Sequence, residues 1–183
     1  MKNKIFIVEQ FGNLDMEFIS EYYNLLFSTP SVEKITTPMG DVEGYGVYGD
    51  PLMELILKRT TSFMMEVYEK QLMPTYSYVR HYTPGALLSK HKDRPSCEYS
   101  VSFAISGESN SLWACSEEDE SDKVEIQLTQ GNAFIYPGCE IYHWRDKIET
   151  PFTQAFLHWV DIDGPNASWI MDRRPGLGHP YIA

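Results

Sequence analysis

Two histidines and one aspartate have the residue types and the placement of a metal site. His91 and Asp93 belong to a His-Lys-Asp triplet, and His143 follows in a later segment of the chain. Neutral imidazole nitrogens bind a divalent transition metal, and one carboxylate offsets part of its charge. Three such ligands on one face of an octahedral ion leave the opposite positions open to reactants. These residues therefore indicate an open, reactive metal centre.

Zinc hydrolysis is another chemistry that uses two histidines and a carboxylate. Zinc hydrolases of that type typically carry a helical His-Glu-x-x-His motif, which this sequence lacks. A His-x-Asp triplet is also short enough to arise by chance, with His91 as a loop histidine and His143 as a strand histidine. The surrounding elements decide between these alternatives.

The first 73 residues have helical periodicity. Apolar residues at helical spacing over 14–28 predict one helix, which ends at Ser28-Thr29-Pro30. Asp50-Pro51 is typical of an N-cap followed by proline at the first helical position. The apolar stripe after it continues to about residue 72. We expect both helices to pack on the outside of the core.

After Pro74 the spacing of apolar residues becomes that of strands. Short alternating or apolar runs are separated by turn signals such as Pro84-Gly85 and Pro137-Gly138. Because no helical crossovers lie between them, the runs favour an antiparallel jelly roll, and the fold class predicted is mainly β (α+β). The candidate strands are residues 75–82, 99–105, 111–115, 124–128, 132–136, 140–144 and 152–162.

Length and composition limit the number of domains, the possible partners and the expected location of the protein. A chain of 183 residues is about one domain, predicted as helical support over 1–73, a core over 74–162 and a tail over 163–183. The net charge of −11 disfavours a nucleic-acid duplex as partner. No apolar run is long enough to span a membrane, and three widely spaced cysteines suggest reduced thiols. We therefore expect a cytoplasmic protein; its oligomeric state is not indicated.

The order of these motifs resembles the 2-oxoglutarate- and Fe(II)-dependent dioxygenases, especially the prolyl 4-hydroxylase-like branch. Tyr82-Thr83-Pro84-Gly85 precedes His91, a strand follows Asp93, and the run GNAFIYPG at 131–138 leads into His143. The resemblance covers residues 76–161 and implies a double-stranded β-helix (cupin-like jelly roll). It also implies that His91, Asp93 and His143 bind Fe(II), and that Tyr82 lines the 2-oxoglutarate pocket.

The sequence departs from the family at one functional position. About ten residues after the second metal-ligating histidine, the family has a Lys or Arg that pairs with the distal carboxylate of 2-oxoglutarate, whereas here Thr153 stands between Phe152 and Gln154. The resemblance thus places Thr153 in the co-substrate pocket, where a neutral side chain cannot supply that charge. A dianion in a half-buried pocket needs a cation. We predict that Arg145 supplies it, since it follows His143 by two residues and shares its strand face. Arg94 and then Arg80 are the rival candidates.

The expected function is that of an oxygenase that uses Fe(II), 2-oxoglutarate and O2 to hydroxylate a C–H bond, releasing succinate and CO2. A peptide, an amino acid or another small metabolite is the expected substrate. The alternative is a non-catalytic jelly-roll module that binds a metal or a small ligand. The absence of the family's basic residue near Thr153 is the reason for considering this alternative. A third reading, a purely structural sandwich, requires the three candidate ligands to be unrelated.

Several other residues receive structural interpretations. His158 has the opposite strand parity from Thr153, so we expect it to face away from the pocket. We expect His81 outside the metal site and Cys97 to be an ordinary thiol. A salt bridge to Glu149 is the structural alternative for Arg145. Loop 87–90 and the tail 163–183 are predicted to border the opening.

Overall fold

Two helices and ten strands form the framework of the described residues, 5–29 and 44–180, of the computed structural model. Three short 3₁₀ segments, Phe11–Asn13, Pro95–Cys97 and Ala167–Arg173, lie between or after them. The helices are α1 (Met16–Ser28) and α2 (Pro51–Tyr68). The strands are β1 (Phe6–Val8), β2 (Gly44–Tyr48), β3 (Leu72–Tyr82), β4 (Leu88–His91), β5 (Tyr99–Gly107), β6 (Asn110–Cys115), β7 (Val124–Leu128), β8 (Ala133–Tyr136), β9 (Tyr142–Arg145) and β10 (Phe152–Asp161).

Helix α2 begins where the sequence predicts, and α1 begins two residues after its predicted start at residue 14. Asp15 caps α1 by accepting the Phe18 N–H, and Asp50 caps α2 with Pro51 at the first helical position. Helix α1 ends at Ser28, and Pro30 of the predicted stop signal lies outside the described residues. Among the residues that the structure describes, no helix is both long and apolar enough to cross a membrane.

The strands form two antiparallel sheets. The larger has the order β1-β8-β5-β10-β3-β2, and the smaller has the order β4-β9-β6-β7. Apart from the consecutive pairs β2–β3 and β6–β7, neighbouring strands in both sheets are far apart in sequence, as in a jelly roll. The prediction of a mainly β, double-stranded β-helix core with outer helices is confirmed.

The larger sheet is covered on both faces. On β5, the large side chains of Tyr99, Val101 and Phe103 face the helices, where they pack with buried residues of α1 and α2. The alternate residues, including Ser100 and Ser102, face the space between the sheets. Because inward side chains on this strand are small, room is left inside the double sheet for longer polar residues.

Three strands were not predicted. Strands β1 and β2 flank the larger sheet, so the segment 1–73 supplies strands as well as helices. Strand β1 has only three residues and β2 is Gly-Tyr-Gly-Val-Tyr, which gives little alternation to detect. Strand β4 replaces most of the predicted loop 87–90. Strand β3 begins at Leu72, two residues before the expected change at Pro74.

We predict that Asp50→Ala destabilises the fold by about 2–4 kcal/mol. Its carboxylate accepts two N–H bonds of α2, from Leu52 at 3.0 Å and Met53 at 3.2 Å. It also accepts the hydroxyls of Tyr22 at 2.6 Å and Tyr23 at 3.0 Å. The estimate adds a lost cap to the loss of a buried hydroxyl's partner.

The measurement for this prediction is urea unfolding, with Asp15→Ala as the matched control. Asp15 is an exposed cap with one N–H bond, from Phe18. Its removal should cost about 1 kcal/mol or less. Equal losses in the two variants would show that the tyrosine hydroxyls add nothing to the Asp50 cap.

Candidate metal and co-substrate site

The three predicted ligands meet at one point of the interior. His91 at the end of β4 is the register partner of His143 on β9, and their ring centroids are 4.3 Å apart. Asp93 Oδ1 lies 3.6 Å from His91 Nε2 and 3.5 Å from His143 Nε2. One ligand atom from each residue lies within 4.8 Å of the other two. The structure therefore brings together the His91, Asp93 and His143 set.

Backbone contacts orient both imidazoles toward this point. His91 Nδ1 lies 2.8 Å from the Ser89 carbonyl oxygen, and His143 Nδ1 lies 3.2 Å from that of Ile141. A carbonyl oxygen only accepts, so each Nδ1 carries the proton and each Nε2 keeps a free lone pair. Metal-ligating histidines are commonly fixed through their other ring nitrogen in this way. The donor set thus fits a divalent transition metal.

Asp93 is held by the turn after β8. Its backbone N–H donates to the Gly138 carbonyl at 2.9 Å, and the Ser100 hydroxyl lies 3.4 Å from Oδ2. Burial opposes ionisation of this carboxyl, but the nearby imidazoles of His143 and His91 outweigh it and hold its pKa well below the usual range. Burial also lowers the pKa of His143. An ionised carboxylate beside a neutral imidazole is the state that binds a metal.

A cavity of about 160 Å³ opens beside the three ligands. Tyr82, which the family resemblance assigns to the 2-oxoglutarate pocket, is one of the residues that line this cavity. Arg80, the last of the rival cations, also lines it. Besides these two and the three ligands, the lining residues are Tyr76, Tyr78, Leu88, Tyr136, Phe156 and His158.

Arg145 points into the same interior and is almost completely buried, with 2% of its surface exposed. Its Nη2 donates to Gln154 Oε1 at 2.6 Å, whereas Nε and Nη1 have no hydrogen-bond partner. The guanidinium carbon lies 5.0 Å from the ring centroid of Tyr82. Within the part of the chain that the structure describes, no salt bridge joins Arg145 to Glu149.

Arg94 lies apart from this interior. Its Nη2 pairs with Asp172 at 2.8 Å, and its guanidinium carbon stands 4.7 Å from the Tyr76 ring centroid. Asp172 is fully buried and also accepts the Tyr48 hydroxyl at 2.7 Å. Arg94 therefore fastens the C-terminal segment to the core and does not line the cavity.

Two residues of β10 face the opposite way from the prediction. Thr153 Oγ1 lies 2.9 Å from His81 Nδ1, on the face that is turned away from the cavity. His158 faces inward, where its Nδ1 lies 2.9 Å from Ser100 Oγ and its ring lies 4.6 Å from that of Tyr76. The expectation that His158 faces away is wrong, and Thr153 is not a pocket residue. His81 lies outside the site, as expected.

A shift of one residue explains both corrections. The difference in parity between positions 153 and 158 is real, but Gln154 rather than Thr153 is the residue that faces inward. A strand has a side-chain period of two, so a one-residue error in register reverses every side chain on it. The signal that was missed is Gln154 itself, a polar residue of β10 that shares strand parity with His158.

Cys97 forms a second possible donor group with Asp93 and His158. The thiol is buried and lies 3.2 Å from the Tyr76 hydroxyl oxygen. Burial raises the pKa of Cys97, so the neutral thiol is favoured over the thiolate that binds metals. The histidine–aspartate set is therefore the better metal site, and Cys97 is a structural thiol.

The predicted borders of the opening are only partly found there. Leu88, which belongs to the predicted loop 87–90 and lies in β4, lines the cavity. The tail, described as far as residue 180, packs on the outside of β3 and the Pro95–Cys97 turn and contributes no lining residue among the described ones. Arg174 in this tail forms an ion pair with Glu54 of α2 at 2.5 Å.

Comparison with known proteins identifies the fold. No protein-family model matches the chain, and no curated protein matches its sequence. The non-haem α-ketoglutarate-dependent epimerase SnoN from nogalamycin biosynthesis superposes with a TM-score of 0.69 at 13% identity, covering 100% of this chain and 92% of that one. A Pseudomonas putida prolyl-4-hydroxylase gives 0.67 at 11% identity, covering 86% and 92%.

EctD from S. alaskensis, solved with 2-oxoglutarate and 5-hydroxyectoine, gives a TM-score of 0.69 at 13% identity, covering 97% of this chain and 83% of that one. The chain therefore has the fold of the 2-oxoglutarate- and Fe(II)-dependent oxygenases, as the sequence resemblance implied. The proteins that share this fold include an epimerase and a hydroxylase, so the fold leaves the reaction outcome open.

We predict that Gly138→Ala destabilises the protein by about 1–3 kcal/mol, the usual cost of overpacking. An added Cβ would lie 2.9 Å from Ser100 Oγ and closer still to the Cys97 carbonyl and the Asp93 carboxylate. The measurement is the free energy of unfolding in urea. Gly176→Ala is the control, because its Cβ would meet only His179, at 3.8 Å. Equal stability of the two variants would contradict the close packing inferred around Asp93.

Proposed function

We propose that the protein is an Fe(II)- and 2-oxoglutarate-dependent oxygenase that hydroxylates a C–H bond. The observation that carries the proposal is the convergence of His91 Nε2, His143 Nε2 and Asp93 Oδ1, with both Nδ1 atoms already held by backbone carbonyls. This convergence occurs inside a fold that such oxygenases share. When bound, iron and 2-oxoglutarate supply the oxidising chemistry, with succinate and CO2 as products.

The protein's own residues supply three functions. His91, Asp93 and His143 hold the metal and leave its opposite side to reactants. Buried aromatic walls, including Tyr82 and Tyr136, limit the access of water to the cavity. A cation holds the far end of the co-substrate, and the resulting position of 2-oxoglutarate is fixed relative to the metal.

Arg145 is the cation that we assign to the distal carboxylate of 2-oxoglutarate. Arg145 projects from β9 on the same face as His143. Its guanidinium group packs on the ring of Tyr82, and Tyr82 lines the cavity. Burial lowers the pKa of Arg145, which shows that its charge lacks compensation in the protein alone. A carboxylate that accepts from the free Nε and Nη1 groups would provide that compensation.

We predict that Asp93→Ala removes most of the affinity for Fe(II), because Asp93 is the anionic member of the three ligands. The loss should exceed the roughly 10- to 100-fold that removal of an outer partner of a metal ligand costs. Anaerobic Fe(II) titration measures it. Asp163→Ala, an exposed aspartate, is the control. Undiminished iron binding by Asp93→Ala would reject the ligand assignment.

We predict that Arg145→Gln raises the Kd for 2-oxoglutarate about tenfold or more and leaves Fe(II) binding intact. The variant loses a charge-assisted pair worth about 1.5–3 kcal/mol. Isothermal titration with the metal-loaded protein under anaerobic conditions gives the Kd. The exposed Arg59→Gln on α2 is the control. A wild-type Kd in Arg145→Gln would remove Arg145 from the co-substrate site.

Succinate release separates the oxygenase from the non-catalytic binding module. Wild-type protein loaded with Fe(II) and 2-oxoglutarate should form succinate when O2 is admitted, slowly even without a substrate, and the Asp93→Ala variant should not. Binding of iron and 2-oxoglutarate with no succinate would instead support a module that binds these ligands without oxidising them.

A further inference from the structure

Arg80 is a second buried cation that the proposed co-substrate site does not use. It lies on β3 between Tyr78 and Tyr82, lines the cavity and has 5% of its surface exposed. Its Nε and Nη2 atoms are buried and have no hydrogen-bond partner. No acidic side chain within the described ranges 5–29 and 44–180 forms a salt bridge with it. Unpaired buried guanidinium groups are costly, so such a group indicates a missing anion.

The two arginines lie close enough to influence each other. The guanidinium carbons of Arg80 and Arg145 each lie 5.0 Å from the ring centroid of Tyr82. Gln154, the register partner of Arg80 on the neighbouring strand, is neutral, and its Oε1 accepts a hydrogen bond from Arg145. Repulsion from Arg80 adds to burial in lowering the pKa of Arg145. Among the described residues, the interior therefore holds two neighbouring positive charges that form no salt bridge with an acid.

A count of formal charges shows that one co-substrate does not neutralise this interior. A divalent metal bound to Asp93 carries one net positive charge, and the two arginines add two more. 2-Oxoglutarate is a dianion: one carboxylate balances the metal centre and the other balances one arginine. One guanidinium remains, and a further anion is required to pair with it.

The position of Arg80 indicates which anion this is. Tyr78 and Phe156 line the cavity beside Arg80, and their ring centroids lie 6.3 Å apart. Because both side chains are only half-buried, this side of the cavity opens to solvent. Arg145, by contrast, also contacts the buried ring of Phe152, and only 2% of its surface is exposed. The deeper cation suits the co-substrate, and the cation nearer the open side suits a molecule that arrives afterwards.

We infer that Arg80 binds a carboxylate of the substrate, and that the substrate is a small carboxylic acid whose apolar part contacts Tyr78 and Phe156. The inference rests on the proposed function, because it assigns 2-oxoglutarate to Arg145. Two N–H groups of one guanidinium bind a carboxylate in parallel, which fixes its orientation as well as its charge. An amide or an alcohol of the same shape would leave Arg80 unpaired.

The test uses protein loaded with Mn(II) and saturating 2-oxoglutarate under anaerobic conditions, so that no turnover occurs. Three acids, acetate, hexanoate and 3-phenylpropionate, are titrated beside their neutral primary amides. At least one acid should bind about tenfold or more tightly than its own amide. Arg80→Gln and Arg80→Met, which removes the charge but keeps an apolar stem, should abolish that preference. Arg59→Gln is the control.

The Kd for 2-oxoglutarate distinguishes this inference from the alternative in which both arginines hold the co-substrate. We expect that Kd to stay within about threefold of wild type in both Arg80 variants and to rise about tenfold in Arg145→Gln. An equal rise in the Arg80 variants would overturn the inference, as would acids that bind no better than their amides. Failure of the wild-type protein to bind 2-oxoglutarate would instead reject the proposed function, and the acid–amide comparison on the Mn(II)-loaded protein would still test Arg80.

Discussion

The two-residue alternation of β3, β5 and β10 is the constraint on which the whole site depends. These neighbouring strands are buried on both faces, and one face must match the apolar helices while the other carries polar groups. On β5 the inward residues are small, so Gln154 and His158 of β10 fit opposite them with hydrogen bonds to Ser102 and Ser100. A shift of one residue would place these polar groups against the apolar faces of the helices, where they would lose these hydrogen-bond partners.

The sequence was most informative where residue type and chemistry coincide. His91, Asp93 and His143 were found because few side chains bind metals, and Asp50-Pro51 because few residues cap helices. The orientation of Thr153 and His158 was wrong because spacing from a family position is uncertain by one residue, and one residue reverses a strand. Strands β1 and β2 were missed because edge strands depend on their partners, which a local pattern does not contain.

The two buried arginines contrast in sign with the net charge of the chain. The chain carries a net charge of −11, yet Arg80 and Arg145 lie buried with no acid paired to either in the described part of the structure. Surface charge acts weakly beyond a screening distance of about 8 Å at physiological salt. Under the proposed function, an anionic ligand would therefore be selected by contacts made inside the cavity and would gain no long-range attraction from the net charge of the chain.

The central place of β10 in the larger sheet has a consequence for how the chain is made. This strand covers residues 152–161, yet it lies between β3 and β5, which are synthesised much earlier. Until β10 emerges from the ribosome, β3 and β5 each expose an unpaired edge of backbone donors and acceptors. The sheet, and with it the inward row of Gln154, Phe156 and His158, therefore closes only after β10 has been synthesised. A ribosome that stalls before residue 152 leaves a nascent chain with two open edges, which is a substrate for chaperones or for aggregation.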